Sequence, residues 1–123
     1  MSELQSLLER VEAAEVADRE IDDDLGDYDV SVALSLPIRQ VAEYRSEIKR
    51  RGMSDPYTGS VDAALSLIGR VLPETTVLLD TAGPHARVRR LDPFDGDIGA
   101  LGATPALALV AAMLRALIAK AAQ

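Results

Sequence analysis

"TTVLLDTAGPHARVRRL", residues 75–91, is the stretch on which the fold class turns. Two short runs rich in β-branched and aliphatic residues, TTVLLD and ARVRRL, flank TAGPH, where Gly83 and Pro84 supply turn chemistry. This is the pattern of an antiparallel hairpin, set among segments that otherwise show helical periodicity. An α+β fold is therefore expected, with helices layered on a small antiparallel sheet, in a single domain over residues 1–123. The acidic N-terminal segment 1–29 is a candidate for a distinct lobe within it.

On the C-terminal side, the glycine-rich DPFDGDIGALGA reads as a loop leading to Thr104 as N-cap and Pro105 at the first helical position. In the helix expected over about 105–121, Leu107, Val110, Leu114, Leu117 and Ile118 form a core stripe. Ala108, Ala111, Ala112 and Ala119 line the opposite side around Arg115, a small-residue face that permits close approach of a second helix and hence a homodimer. Arg115 and Lys120 interrupt this apolar run before it is long enough to cross a bilayer, so it is read as a core helix.

On the N-terminal side, Ser60 caps a helix over about 60–72 with Val61, Leu65, Ile68 and Leu72 in register and Pro73 as its stop. Pro37 opens, and Gly52 ends, a helix over about 37–51. Between them SDPYTG is a turn. VSVALSL alternates, with Val30, Val32, Leu34 and Leu36 on one side, which suits a third, half-buried strand over about 30–36; its Ala and Leu content keeps helix as the competing reading. Ser2 and Gln5 form a capping-box pattern ahead of Leu4, Leu7, Leu8 and Val11, so a first amphipathic helix is expected over about 3–15. Its charged opening carries no basic start followed by an apolar run, so no signal peptide is expected.

DREIDDDLGDYD, residues 18–29, holds Asp18, Glu20, Asp22, Asp23, Asp24, Asp27 and Asp29 against one cation, Arg19. Asp18 can cap a short helix with Ile21 and Leu25 on its inner face and Gly26 as its stop, which leaves the carboxylates facing outward. A calcium loop needs oxygens at positions 1, 3 and 5, Gly at 6 and Glu at 12. Starting at Glu20, the sixth position is Leu25 and the twelfth Ser31; starting at Asp22, the twelfth is Ala33, so the register fails both ways. A solvated acidic face and a docking surface for a basic partner remain as equal readings. Residues 1–30 carry a net charge of -9, residues 31–91 one of +3, and the whole chain -7, a balance opposed to direct nucleic-acid binding.

The remaining chemistry is sparse. The absence of Cys removes disulfides, thiolate metal sites and a cysteine nucleophile. Asp92, Asp95 and Asp97 lie among Gly96, Gly99 and Gly102, a composition that turns demand. His85, the single histidine, is read as an exposed turn residue. Arg87, Arg89 and Arg90 form a candidate anion-binding group, and Arg45, Lys49, Arg50 and Arg51 a second basic group. No nucleotide signature, metal set or cofactor motif is present, and neither a metal nor a cofactor is expected.

The stretches PYTGSVDAALSLIGRVLP (56–73), ATPALALVAAMLRALIAK (103–120) and LLERVEAAEVADREID (7–22) resemble the phage ABA sandwich domain group of small phage and prophage proteins. The matching residues are Tyr57, Thr58, Ser60, Asp62, Ala63, Ala64 and Leu65, then those from Thr104 to Leu109; residues 26–54 show no matching pattern. The resemblance implies helices around a small sheet and a phage or integrated-element setting, and it assigns no catalytic residues. By analogy of context, the leading expectation is a non-catalytic inhibitor of a host defence complex of the CRISPR-type nuclease class, acting in the host cytoplasm. Its acidic residues 18–29 would mimic nucleic acid on a basic surface of a host protein. The rivals are a self-assembling phage component and a small-ligand binder using the basic hairpin and the glycine loop around Asp95.

Overall fold

The hairpin of residues 75–90 supplies two of the sheet's three strands, with its second strand in the middle. In the computed structural model, which describes residues 3–34, 40–41, 55–73, 75–80, 82–90 and 97–121, Thr75 pairs with Arg90 and Asp80 with His85 in an antiparallel register. The elements are α1 (Glu3–Ala13), α2 (Arg19–Leu34), α3 (Val61–Val71), β1 (Thr75–Asp80), β2 (His85–Arg90), β3 (Asp97–Leu101) and α4 (Pro105–Ala121). The fold is α+β, with one three-stranded antiparallel sheet in the order β1-β2-β3.

The third strand comes from a different place than expected. Residues 30–34, read as a strand by their alternation, complete α2, and 35–36 lie outside the described residues. One mid-helix glycine, Gly26, costs only about 1 kcal/mol relative to alanine, and each further helical residue adds a hydrogen bond, so α2 runs through it. The stop expected at Gly26 is absent for the same reason. The third strand is instead 97–101, DIGAL, within the segment read as a loop. Glycine at 99 weakens its strand signature, yet β2 needs a partner for its second row of backbone groups, and β3 supplies it.

The helices at 3–13, 61–71 and 105–121 match their expected positions to within two residues at each end. The expected helix 37–51 falls almost entirely outside the described residues; Gln40 and Val41 are helical. Ser60 caps α3 by accepting from the Ala63 N–H, and Thr104 caps α4 by accepting from the Leu107 N–H.

The core is built around α4, which packs against α1, α3 and the inner face of β2 and β3. Leu107 to Leu114 are all fully buried, so this helix is covered on every side. Of Ala108, Ala111, Ala112 and Ala119, expected as a self-association face, the first three belong to that enclosed core and reach no surface, and Ala119 is half-buried. Their small side chains are used within the chain, where α1 and the sheet approach α4 closely. No helix among the described residues is long and apolar enough to cross a membrane. On the sheet, Val77, Leu79, Ala86, Val88, Ile98 and Ala100 face the core, while Thr76, Leu78, Arg87, Arg89 and Leu101 stand on the exposed outer face.

Candidate functional site

α2 carries the acidic run, and its start is organised by one loop residue. The Asp18 Oδ1 caps the helix by accepting from the N–H of Glu20 at 2.8 Å and of Ile21 at 3.1 Å. The Asp18 N–H in turn donates to Thr58 Oγ1 at 2.8 Å. Asp22 Oδ1 accepts from both the backbone N–H and the hydroxyl of Thr58, each at 2.8 Å, with the Asp18 carbonyl a more distant second acceptor at 3.2 Å. Thr58 is 1% exposed, so this is a buried clasp joining α2 to the turn ahead of α3. Burial pushes the Asp22 carboxyl above its ordinary value; the two Thr58 bonds oppose that shift, and the charges of Asp18 and Asp23 add to it.

The other acidic residues divide between burial and surface. Ile21 and Leu25 point inward, as the helical spacing predicts. Asp22, Asp23 and Asp27 are also buried, at 7%, 3% and 4% exposure, contrary to the expectation that the whole run faces out. The cause is the extension of α2 to Leu34. A four-turn helix lying against α1 and α3 buries more of its circumference than a two-turn helix end would. Neither Asp23 nor Asp27 is without a partner. Asp24 is half-buried and pairs with Arg10, and Asp29 is held by Arg70, whose Nε lies 3.1 Å from each carboxylate oxygen. Glu20 remains exposed.

Tyr57, beside the clasp, is buried at 3% exposure, and burial raises its phenol above the usual value, helped by Asp29 and Asp55. Tyr57, Thr58 and Ser60 thus serve core packing, the α2 clasp and the α3 cap.

The exposed acidic surface lies elsewhere, in residues the charge count includes but the site expectation left out. Glu3, Glu9, Glu12 and Glu15, in α1 and just beyond it, are all exposed. Glu12 pairs with Arg115 at 2.7 Å; Glu3, Glu9, Glu15 and Glu20 form no ion pair among the described residues. Glu9, Glu12 and Glu15 recur every third residue, apart from the apolar Leu4, Leu7, Leu8 and Val11, and this is the signal that could have found them.

The basic hairpin residues are separate from this pole. Arg87 and Arg89 are exposed on the outer face of the sheet, and neither is free of partners. Arg90 stands opposite Thr75 at the end of β2. His85, expected in the turn, opens β2 and is half-buried, between Asp80 and Leu101 in the register. Asp95 lies outside the described residues. Beside His85 an open cleft of about 340 Å³ is bounded by Glu12, Arg115 and the outward edge of β3. Among the described residues no group of three or more His, Asp or Glu is arranged to hold a metal ion. No family model matches the chain, and neither a curated protein nor a solved structure matches it.

Proposed function

We propose that this chain is a non-catalytic binding protein that presents an acidic helical pole to a basic surface on a partner. The partner we propose is a nucleic-acid-binding complex of a host defence system, of the CRISPR-type nuclease class, with the pole occupying the place of nucleic acid. The observation that carries the reading is the exposure of Glu3, Glu9, Glu15 and Glu20 without ion pairs among the described residues, within a segment of net charge -9. Such a surface accelerates encounter with a positive groove and repels nucleic acid itself. The contact surface we propose is α1, Glu15 and the first turn of α2; the burial of Asp22, Asp23 and Asp27 supports leaving those three out of it. The phage setting rests on the family resemblance.

A competition measurement tests it. The chain is titrated into a CRISPR-type nuclease complex holding labelled duplex DNA, at salt concentrations from about 50 to 300 mM. Displacement of the DNA is expected, weakening about tenfold or more across that range. The triple variant Glu9→Gln, Glu15→Gln, Glu20→Gln should displace about tenfold less well with an unchanged melting temperature. No displacement, or displacement indifferent to salt and to the triple variant, would sink the reading.

A further inference from the structure

β3 is an edge strand, and its edge opens into the cleft beside His85. The Gly102 N–H donates to the Pro84 carbonyl at 3.0 Å, which continues the β2–β3 ladder by one pair. Hydrogen-bonded pairs alternate along an antiparallel ladder, so Ala100 and Ile98 turn their backbone groups to β2, while Gly99 and Leu101 turn theirs to the free edge. Among the described residues the Gly99 N–H and the N–H and C=O of Leu101 have no partner. The Gly99 carbonyl holds one donor, the Arg115 Nη1 at 3.3 Å, and a carbonyl oxygen has room for a second. Arg115 is itself matched by Glu12 at 2.7 Å, so hydrogen-bond pattern and shape, not charge, decide what fits this edge.

Both features are self-complementary when β3 meets a second β3 antiparallel across a two-fold axis. With the axis at Ala100, Gly99 stands opposite Leu101 of the partner subunit, and Leu101 opposite Gly99 of the partner subunit. Each such pair exchanges both of its N–H···O bonds, so every outward backbone group of the two residues is used. The side chains agree with this register. Leu101 is 70% exposed, and at Gly99, directly opposite it on the same outer face, no side chain stands. The His85 Nε2 lies 2.9 Å from where a Gly99 Cβ would be, so the imidazole borders the space that the leucine enters. An axis at Gly99 would instead bring the Arg115 groups of both copies to one bonded pair, opposing like charges. An axis at Leu101 would run the ladder into the bend at 103–104.

We infer that the β3 edge is a self-association site, where a second copy of this chain pairs β3 to β3 about a two-fold axis at Ala100 and joins the two sheets into one. In that register Asp97, the one charged residue of β3, meets Ala103 of the partner subunit and not its own counterpart. The short strand and the single leucine on each side limit the strength, so the dimer is a weak one. This site is on the sheet edge and does not rest on the acidic pole.

The test is sedimentation equilibrium of the whole chain from about 10 µM to 1 mM, where the mass should rise from one chain towards two with a dissociation constant of about 0.1 mM. Each chain carries a net charge of -7, so association should strengthen about twofold or more between about 50 and 300 mM salt, opposite in sign to the displacement of DNA by the acidic pole. Leu101→Lys, at an exposed position, should weaken association about tenfold or more with an unchanged melting temperature. Leu78→Lys, at the exposed leucine on the same face of β1, should leave it unchanged. In an equimolar mixture of ¹³C-labelled and unlabelled chain at about 1 mM, NOEs between the Leu101 methyls of one copy and the Gly99 Hα of the other report the register. A monomer mass at about 1 mM, association that weakens with salt, Leu101→Lys without effect, equal loss in Leu78→Lys, or intermolecular NOEs that exclude residues 99–101 would each overturn the inference.

Discussion

Asp22 shows how one residue in an acidic run can serve the fold rather than the surface. Its carboxyl is buried against Thr58, and its raised pKa means that the folded chain holds this proton more tightly than the unfolded chain does. Its contribution to stability is therefore full below the unfolded value of 3.8 and is lost as pH rises through the raised folded value. Asp22→Asn keeps an acceptor for Thr58 and removes that dependence. Its melting temperature should gain on the parent's by a few degrees between pH 3 and pH 7, read by circular dichroism at several pH values. A difference that stays constant, or that shrinks as pH rises, excludes the account. Asp22→Ala, which leaves the buried Thr58 N–H without its acceptor, should cost about 1–3 kcal/mol at either pH. Composition cannot separate Asp22 from Glu20, since both are acidic residues in one short run. Only the arrival of Thr58, 36 positions later, distinguishes them.

At the scale of the element, glycine carries two opposite meanings in this chain. Gly69 sits exposed within α3, and a Cβ there would meet nothing within 4 Å. Gly69→Ala should stabilise by about 0.5–1 kcal/mol through helix propensity and a less disordered unfolded state. Gly102 follows β3 where the chain crosses the start of α4, and a Cβ would stand 2.4 Å from the Ala108 nitrogen. Gly102→Ala should destabilise by about 1–3 kcal/mol, because backbone must move to admit it. Urea unfolding midpoints of the two variants should move in opposite directions, and a shared direction rules out this explanation. The elements legible in the sequence were those with clear caps and periodicity: the hairpin, and the helices begun by Ser60 and Thr104. β3 was hidden because five residues including a glycine carry little strand signal of their own.

Across the whole molecule, the central fact is the enclosure of α4. A helix with leucines on one side and alanines on the other can equally offer the alanines to a second chain or to its own neighbours. Here α1, α3 and the sheet surround it, and Ala112 is fully buried. Ala112→Leu should therefore cost about 1–3 kcal/mol by overpacking and leave the mass in light scattering unchanged. A change in oligomeric state with stability intact would restore the alanines to a surface role. The α+β class, the hairpin, the capped helices and the acidic segment 1–30 follow from short-range periodicity, turn chemistry and charge, all of which are local properties of the sequence. Tertiary structure alone decided that residues 30–34 are helix, that β3 completes the sheet, and which carboxylates are inside. The reason is physical: Val30 and Leu34, four positions apart, share a face in a strand and in a helix alike. The choice falls to whichever neighbour completes the backbone hydrogen bonds and covers the side chains.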